Sequence, residues 1–119
     1  MNNRDLGKIG EDAAMKHILN LGMKPLAKNF RVGRLGEIDI IAKDGDTLCF
    51  IEVKARRGDR YGTPAEAVSY AKRNTITRIA QIYADRHGIY DTPLRFDVIE
   101  VYMNPDSSIK SVEHIRDAF

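Results

Sequence analysis

The sequence predicts a mixed α/β (α+β) domain in the order α-β-β-β-α-β-β, with a mixed central sheet flanked by helices. Apolar residues recur at helical spacing near the N-terminus and again after residue 63. Elsewhere they alternate with polar residues at the period of two that marks strands. An Asp-Gly pair separates two of the alternating runs, as in a hairpin. At 119 residues, this is one domain spanning 1–119, with enough chain for a core.

Leu6 to Leu21 places Leu6, Ile9, Ala13, Ala14, Ile18 and Leu21 on one helical stripe, and Gly22 is a plausible stop. Glu11 borders that stripe and needs the rim or a partner. Leu26 to Val32 reads as a first strand, ending at the turn Gly33-Arg34-Leu35-Gly36. Gly36 to Ala42 and Leu48 to Ala55 read as the next two strands, around the turn Lys43 to Asp46. Arg56 to Gly62 is charged, carries two glycines and reads as an exposed loop. Thr63-Pro64-Ala65-Glu66 has the residues of a capped helix start, and the helical pattern runs to about His87 with a break possible near Ser69. Gly88 is its C-terminal signal. Leu94 to Met103 alternates, with Phe96, Val98 and Glu100 on one face, and Ile109 to Ile115 is a last short strand.

The central pair of strands carries the chemistry. Alternation puts Ile38, Ile40 and Ala42 on one face, and Glu37, Asp39 and Ile41 on the other. On the next strand Leu48, Phe50, Glu52 and Lys54 oppose Cys49, Ile51, Val53 and Ala55. A two-residue loop at Asp44-Gly45 sets Asp39 opposite Phe50, and a four-residue loop sets it opposite Glu52. Either keeps Asp39, Glu52 and Lys54 on one face. Glu37, Asp39 and Glu52 would repel one another. Lys54, Arg56 or a divalent cation would compensate, and carboxylates without thiolates or imidazoles suit a hard ion such as Mg2+. A solvated sheet face with ordinary ion pairs fits the alternation equally well. The first helix is expected over the Leu48 and Phe50 face, where Glu11 would approach Asp39 and Glu52.

No apolar run reaches the ~18 residues of a membrane span, and the polar start Met1 to Asp5 lacks a signal-peptide core. Cys49 is the one cysteine, which excludes an internal disulfide and fits a cytoplasmic setting. A net charge of +2 does not by itself require a nucleic-acid partner, although Lys54, Arg56, Arg57 and Arg60 cluster beside the acids and Lys72, Arg73 and Arg78 follow. Solvated surface charge explains that patch as well. His17, His87 and His114 lack zinc-ligand spacing. Tyr61, in the basic loop, could stack on a base, although packing on its own scaffold is the favoured reading.

An acid on one strand followed by Glu-x-Lys on the next resembles the PD-(D/E)xK nuclease superfamily, here Asp39 and Glu52-Val53-Lys54. More narrowly, the chain resembles the YraN-type bacterial family, related in fold to archaeal Holliday-junction resolvases. Gly10-Glu11, Asn29-Phe30-Arg31, Gly36 to Ala42, Phe50 to Arg56, Gly62 to Val68, Lys72 and Arg95 to Ile99 match in order. The resemblance implies a restriction-endonuclease-like fold. It implies Asp39, Glu52 and the Val53 carbonyl as ligands of Mg2+ or Mn2+, Lys54 as the catalytic lysine and Glu11 as a helix acid near the metal. Ile38 stands where the superfamily's nominal pattern has proline. Arg56, Arg57, Arg60 and Lys72 are candidate nucleic-acid contacts, with Glu66 and Lys72 as candidate supports of the site. The expected activity is metal-dependent cleavage of DNA, more than RNA, on branched or structured substrates. By analogy with the resolvases, a homodimer would suit a two-fold substrate. A nucleic-acid-binding module without cleavage, and an accessory protein with a structural acid cluster, are the alternative readings.

Overall fold

The computed structural model describes residues 3–58 and 68–119, with side chains from residue 6 onward. Helix α1 spans Asn3–Asn20, and strands β1, β2 and β3 span Lys24–Val32, Gly36–Asp44 and Thr47–Arg57. Helix α2 covers Tyr70–Arg86, followed by β4 at Leu94–Met103 and β5 at Ile109–Ile115. This is the expected element order. The five strands lie in sequence order across one mixed sheet, with β3 and β4 parallel and the other neighbours antiparallel. The parallel step needs a long crossover, which contains α2.

The β2–β3 turn is a two-residue loop, Gly45-Asp46, one position later than Asp44-Gly45. Gly45 has φ +59°, which a tight hairpin asks of its first loop residue. Asp44 therefore pairs with Thr47, and extending that register sets Asp39 level with Glu52. Strand β3 runs through Arg57, so Arg56 and Arg57 belong to the sheet rather than to a loop. The predicted cap at Thr63, Pro64 and Glu66, together with Arg60 and Tyr61, lies outside the described residues. The described helix begins at Tyr70: Ser69 is extended, caps α2 and accepts from the Lys72 N–H at 3.1 Å.

Two cores lie on opposite faces of the sheet. Ala14, Ile18 and Met23 pack on Ile40, Ala42, Cys49, Ile51, Ile99, Val101 and Met103. Ile76, Ile79, Ala80 and Tyr83 of α2 pack on Ile41, Leu48, Phe50 and Val98. Fully buried side chains such as Phe50 and Ile51 each contribute about 2–3 kcal/mol. This corrects the expected placement of the first helix. The Leu48 and Phe50 face belongs to α2, and α1 covers the other face. Gly10 allows the approach of α1, since a Cβ there would stand 2.9 Å from the Ala55 Cβ.

A second correction concerns Ile38. It packs with Ile41 on the α2 side rather than with Ile40. On β1, Ala27 and Phe30 likewise share that side although they are three positions apart. The phase reverses at Asn29, whose φ is +51°, and the flanking pairs Lys28↔Ile40 and Phe30↔Ile38 put Asn29 level with Asp39. Asparagine tolerates this left-handed conformation better than most residues. Among the described residues, no helix is long and apolar enough to cross a membrane.

Candidate metal and phosphate site

The β2–β3 ladder ends at Ile40↔Ile51. Beyond it the strands part, and the half-buried Asp39 fills the opening. Its Oδ2 accepts from the Val53 backbone N–H at 2.8 Å, so a side chain replaces a ladder bond. A strand residue turns its N–H and C=O to the same side. The Val53 carbonyl therefore faces the same opening.

Glu52 is 6% exposed, and its Oε1 is 3.5 Å from Lys54 Nζ and 3.9 Å from Lys72 Nζ. Lys54 lies two residues along the same strand, and Lys72 arrives from the first turn of α2 held by the Ser69 cap. The Oε2 of Glu52 is buried without a partner. Burial, then the neighbouring Asp39 charge, pushes the Glu52 carboxyl up to about 7 against the pull of both lysines. Asp39 is also raised, first by burial, against the Val53 hydrogen bond.

Glu11 joins the cluster from the opposite face. Its carboxyl is raised by burial and then by Asp39, and its Oε1 is buried without a partner. The opening between β2 and β3 explains how Glu11 and Glu52 both sense Asp39 across a sheet.

The structure thus brings together Asp39, Glu52, Lys54, Lys72 and, from behind, Glu11. Arg56 belongs to the same face, but its Nε is bound to Glu100 Oε1 at 2.8 Å. Arg57 turns to Ser107 Oγ at 3.2 Å. Arg73 leaves the patch, donating to the Val68 carbonyl and lying over the Phe119 ring. Glu37 meets Arg31 at 3.8 Å, at the margin.

The donor set fits a hard divalent cation. It offers two carboxylates, one of them with a buried oxygen that has no partner, and a backbone carbonyl; burial, more than any neighbouring charge, holds both acids above their ordinary range. No three of Asp, Glu, His and Cys converge as a complete cage among the described residues. Mg2+ keeps several of its waters and needs only one or two carboxylates, so two acids and a carbonyl suffice.

Two features went unread in the sequence. Glu100 is fully buried beneath Arg56, and its only signal was an acid ending the apolar run Phe96, Val98. Asp97, also fully buried, is a hub on the other face. It accepts from Arg95 Nε and Nη2, from the Asp117 N–H and from His114 Nε2. Burial opposes its ionisation, but these bonds prevail and hold its carboxyl at about 2. His17 Nε2 then meets His114 Nδ1 at 3.2 Å, joining histidines 97 residues apart. Cys49, beside this hub, is pushed up to about 11 by burial and then by the Asp97 charge, which makes it a core thiol and not a nucleophile.

Fold and site together define a small mixed α+β protein with a buried Glu52, a half-buried Asp39 and two lysines where its sheet opens. The sequence profile described as "Uncharacterised protein family UPF0102" matches residues 10–101. A UPF0102 protein of Clostridium kluyveri is 47% identical over 98% of this chain and 95% of its own length. One from Acetivibrio thermocellus is 46% identical over 99% and 93%, and one from Clostridioides difficile is 44% identical over the whole of both chains. The chain belongs to the UPF0102 family, also called YraN.

Proposed function

We propose that this protein is a Mg2+- or Mn2+-dependent nuclease of restriction-endonuclease-like architecture. Its substrate would be cytoplasmic DNA, in branched or structured forms met during repair or recombination. The observation that carries this reading is the convergence of Asp39 and Glu52 with Lys54 and Lys72 at the opening between β2 and β3.

Asp39, Glu52 and the Val53 carbonyl would hold the cation. When bound, such an ion lowers the pKa of a water and neutralises charge on a phosphoryl oxygen. Lys54 serves the reacting phosphate directly. Its ammonium, anchored by Glu52, is fixed where negative charge grows and can orient the attacking water. Lys72 adds a second positive charge from the end of a capped helix. Glu11 acts from behind as an acid whose proton is held first by burial and then by the charge on Asp39. A second reading keeps the fold as a DNA-binding module with little cleavage. It is favoured by Lys54 and Lys72, which can meet phosphate with no ion bound.

Cleavage of labelled duplex, single strand, flap, four-way junction and structured RNA, each with Mg2+, Mn2+ or EDTA, tests the proposal. Metal-dependent cutting by wild type, abolished in Glu52→Gln and Lys54→Ala, is the expected result. Binding without cutting in any lane would transfer the assignment to the second reading.

A further inference from the structure

We infer that Arg56, held in place by Glu100, binds the phosphate adjacent to the one at the acid cluster. The substrate strand then runs along β3 from Lys54 toward β4 and β5. This rests on the nuclease reading and adds a second contact to it.

Glu100 lies on the site face of β4, where it is the register partner of Lys54, and it is fully buried. Its Oε1 accepts from Arg56 Nε at 2.8 Å, and its Oε2 has no partner. Its neighbours along that face, Phe96 and Val98, are apolar and packed. An apolar side chain of similar size would fill the same space without a desolvation cost, so packing does not call for a carboxylate there. What the pair does determine is the direction of Arg56.

A guanidinium has five N–H donors in a rigid fork. Here Nε is committed inward, and Glu100 is the one partner of the Arg56 side chain among the described residues. That side chain remains 36% exposed. The outer edge of the fork is therefore held ready for a planar or tetrahedral oxyanion, which arginine takes through two donors. Lys54 and Arg56 are two residues apart on one face, about 6.6 Å along the strand. That is the order of the step between successive phosphates of a nucleic-acid backbone. Past Glu100 the same face continues into a hollow of about 250 Å³ lined by Tyr102, Lys110, Ser111 and Glu113. Lys110 continues the positive charge, whereas Glu113 limits it on the β5 side.

Binding of a labelled four-way DNA junction and of its component single strand, measured by anisotropy in EDTA over a salt series, tests this without cleavage. Arg56→Ala should weaken binding about tenfold and reduce the salt slope by about 0.7–0.9, the contribution of one phosphate contact. Arg56→Lys should recover the slope but not the full affinity, because it keeps the charge and loses the fork. Glu100→Gln should weaken wild type about threefold and add nothing in the Arg56→Ala background. If Glu100→Gln does not fold, the two Arg56 variants decide. Wild-type affinity and slope in Arg56→Ala, or a Glu100→Gln effect that persists without Arg56, would overturn the inference while leaving the nuclease reading intact. No binding by wild type would overturn both.

Discussion

Glu52 makes the site measurable without a substrate. A carboxyl raised in the folded state binds its proton more tightly there than in the unfolded chain. Stability from that group is therefore present at low pH and is lost as pH rises. The window runs from the ordinary 4.5 to about 7. At about 1.4 kcal/mol per pH unit, the loss across it is about 3 kcal/mol. In EDTA, Glu52→Gln should match wild type below about pH 4, under the ordinary 4.5, where Glu52 is protonated in both folded and unfolded chains. At pH 8 it should be more stable by up to about 3 kcal/mol, which is about 10 °C in Tm for a chain of this size. Comparing the two chains matters, because other shifted groups add slopes of their own. His17, held low by burial and by His114, gains stability with rising pH and opposes Glu52. That term is common to both proteins and cancels in the difference.

Metal should invert the comparison. A divalent cation binds the ionised acids and displaces their proton, so it stabilises wild type most at high pH. At one hundred times its Kd it adds about 2.7 kcal/mol. Glu52→Gln should gain much less. Urea denaturation of both proteins at pH 4, 6, 7 and 8, each with EDTA or Mg2+, reads the comparison in every condition. The reasoning is refuted if Glu52→Gln is less stable than wild type at pH 8 in EDTA. In that case the lysines would be outweighing burial, and the acid would be an ordinary partner of Lys54 and Lys72.

Other perturbations test the frame around the site. Asp97→Asn should cost about 3 kcal/mol at pH 7, because Arg95 and His114 lose a buried charged partner; its carboxyl, held at about 2, contributes stability above pH 4 that fades toward pH 2, so acid unfolding should lose that component. Gly10→Ala should destabilise by about 1–3 kcal/mol through the 2.9 Å approach to Ala55, and Ala55→Gly in the same chain should restore much of it, both read by thermal melts. Asn29→Val should cost at least about 1–2 kcal/mol for its left-handed backbone while Asn29→Gly is tolerated; equal losses in both would remove the backbone explanation.

The sequence made the element order legible because each segment carries its own period and its own stop signals. It also put Asp39, Glu52 and Lys54 in the same neighbourhood, since any even register does so. It did not reveal that Ile38 changes sides. A period-two reading assumes an unbroken pleat, and one residue at φ +51° on the neighbouring strand breaks it. The face covered by α1 was missed for a related reason. Both faces of β3 are apolar over Leu48 to Ile51, so the strand pattern could not assign a helix to either. Glu11 meets Asp39 all the same, because Asp39 points into the opening of the sheet. Glu100 and Asp97 looked like ordinary members of an alternating strand; their burial comes from β5 and the helices, which no local pattern contains.

Several departures from regular structure meet at this end of the sheet. Asn29 is left-handed, the β2–β3 ladder stops, and a carboxylate replaces a backbone partner at Val53. Among the described residues, the buried side-chain oxygens without a partner belong to Glu11, Glu52 and Glu100 alone. Two of these acids sense Asp39, and the third underlies Arg56 beside Lys54. Folding stability alone gives no reason to group three such oxygens, since each unsatisfied group is a cost and apolar replacements were open to selection. The two cores on either side of the sheet obey the ordinary rules of packing. Rules broken together at one place are the expected mark of a site shaped for a ligand. On the proposed function the two halves of such a ligand would differ in charge: the acids would take a cation, and the lysines and the fixed arginine at the rim would take phosphate.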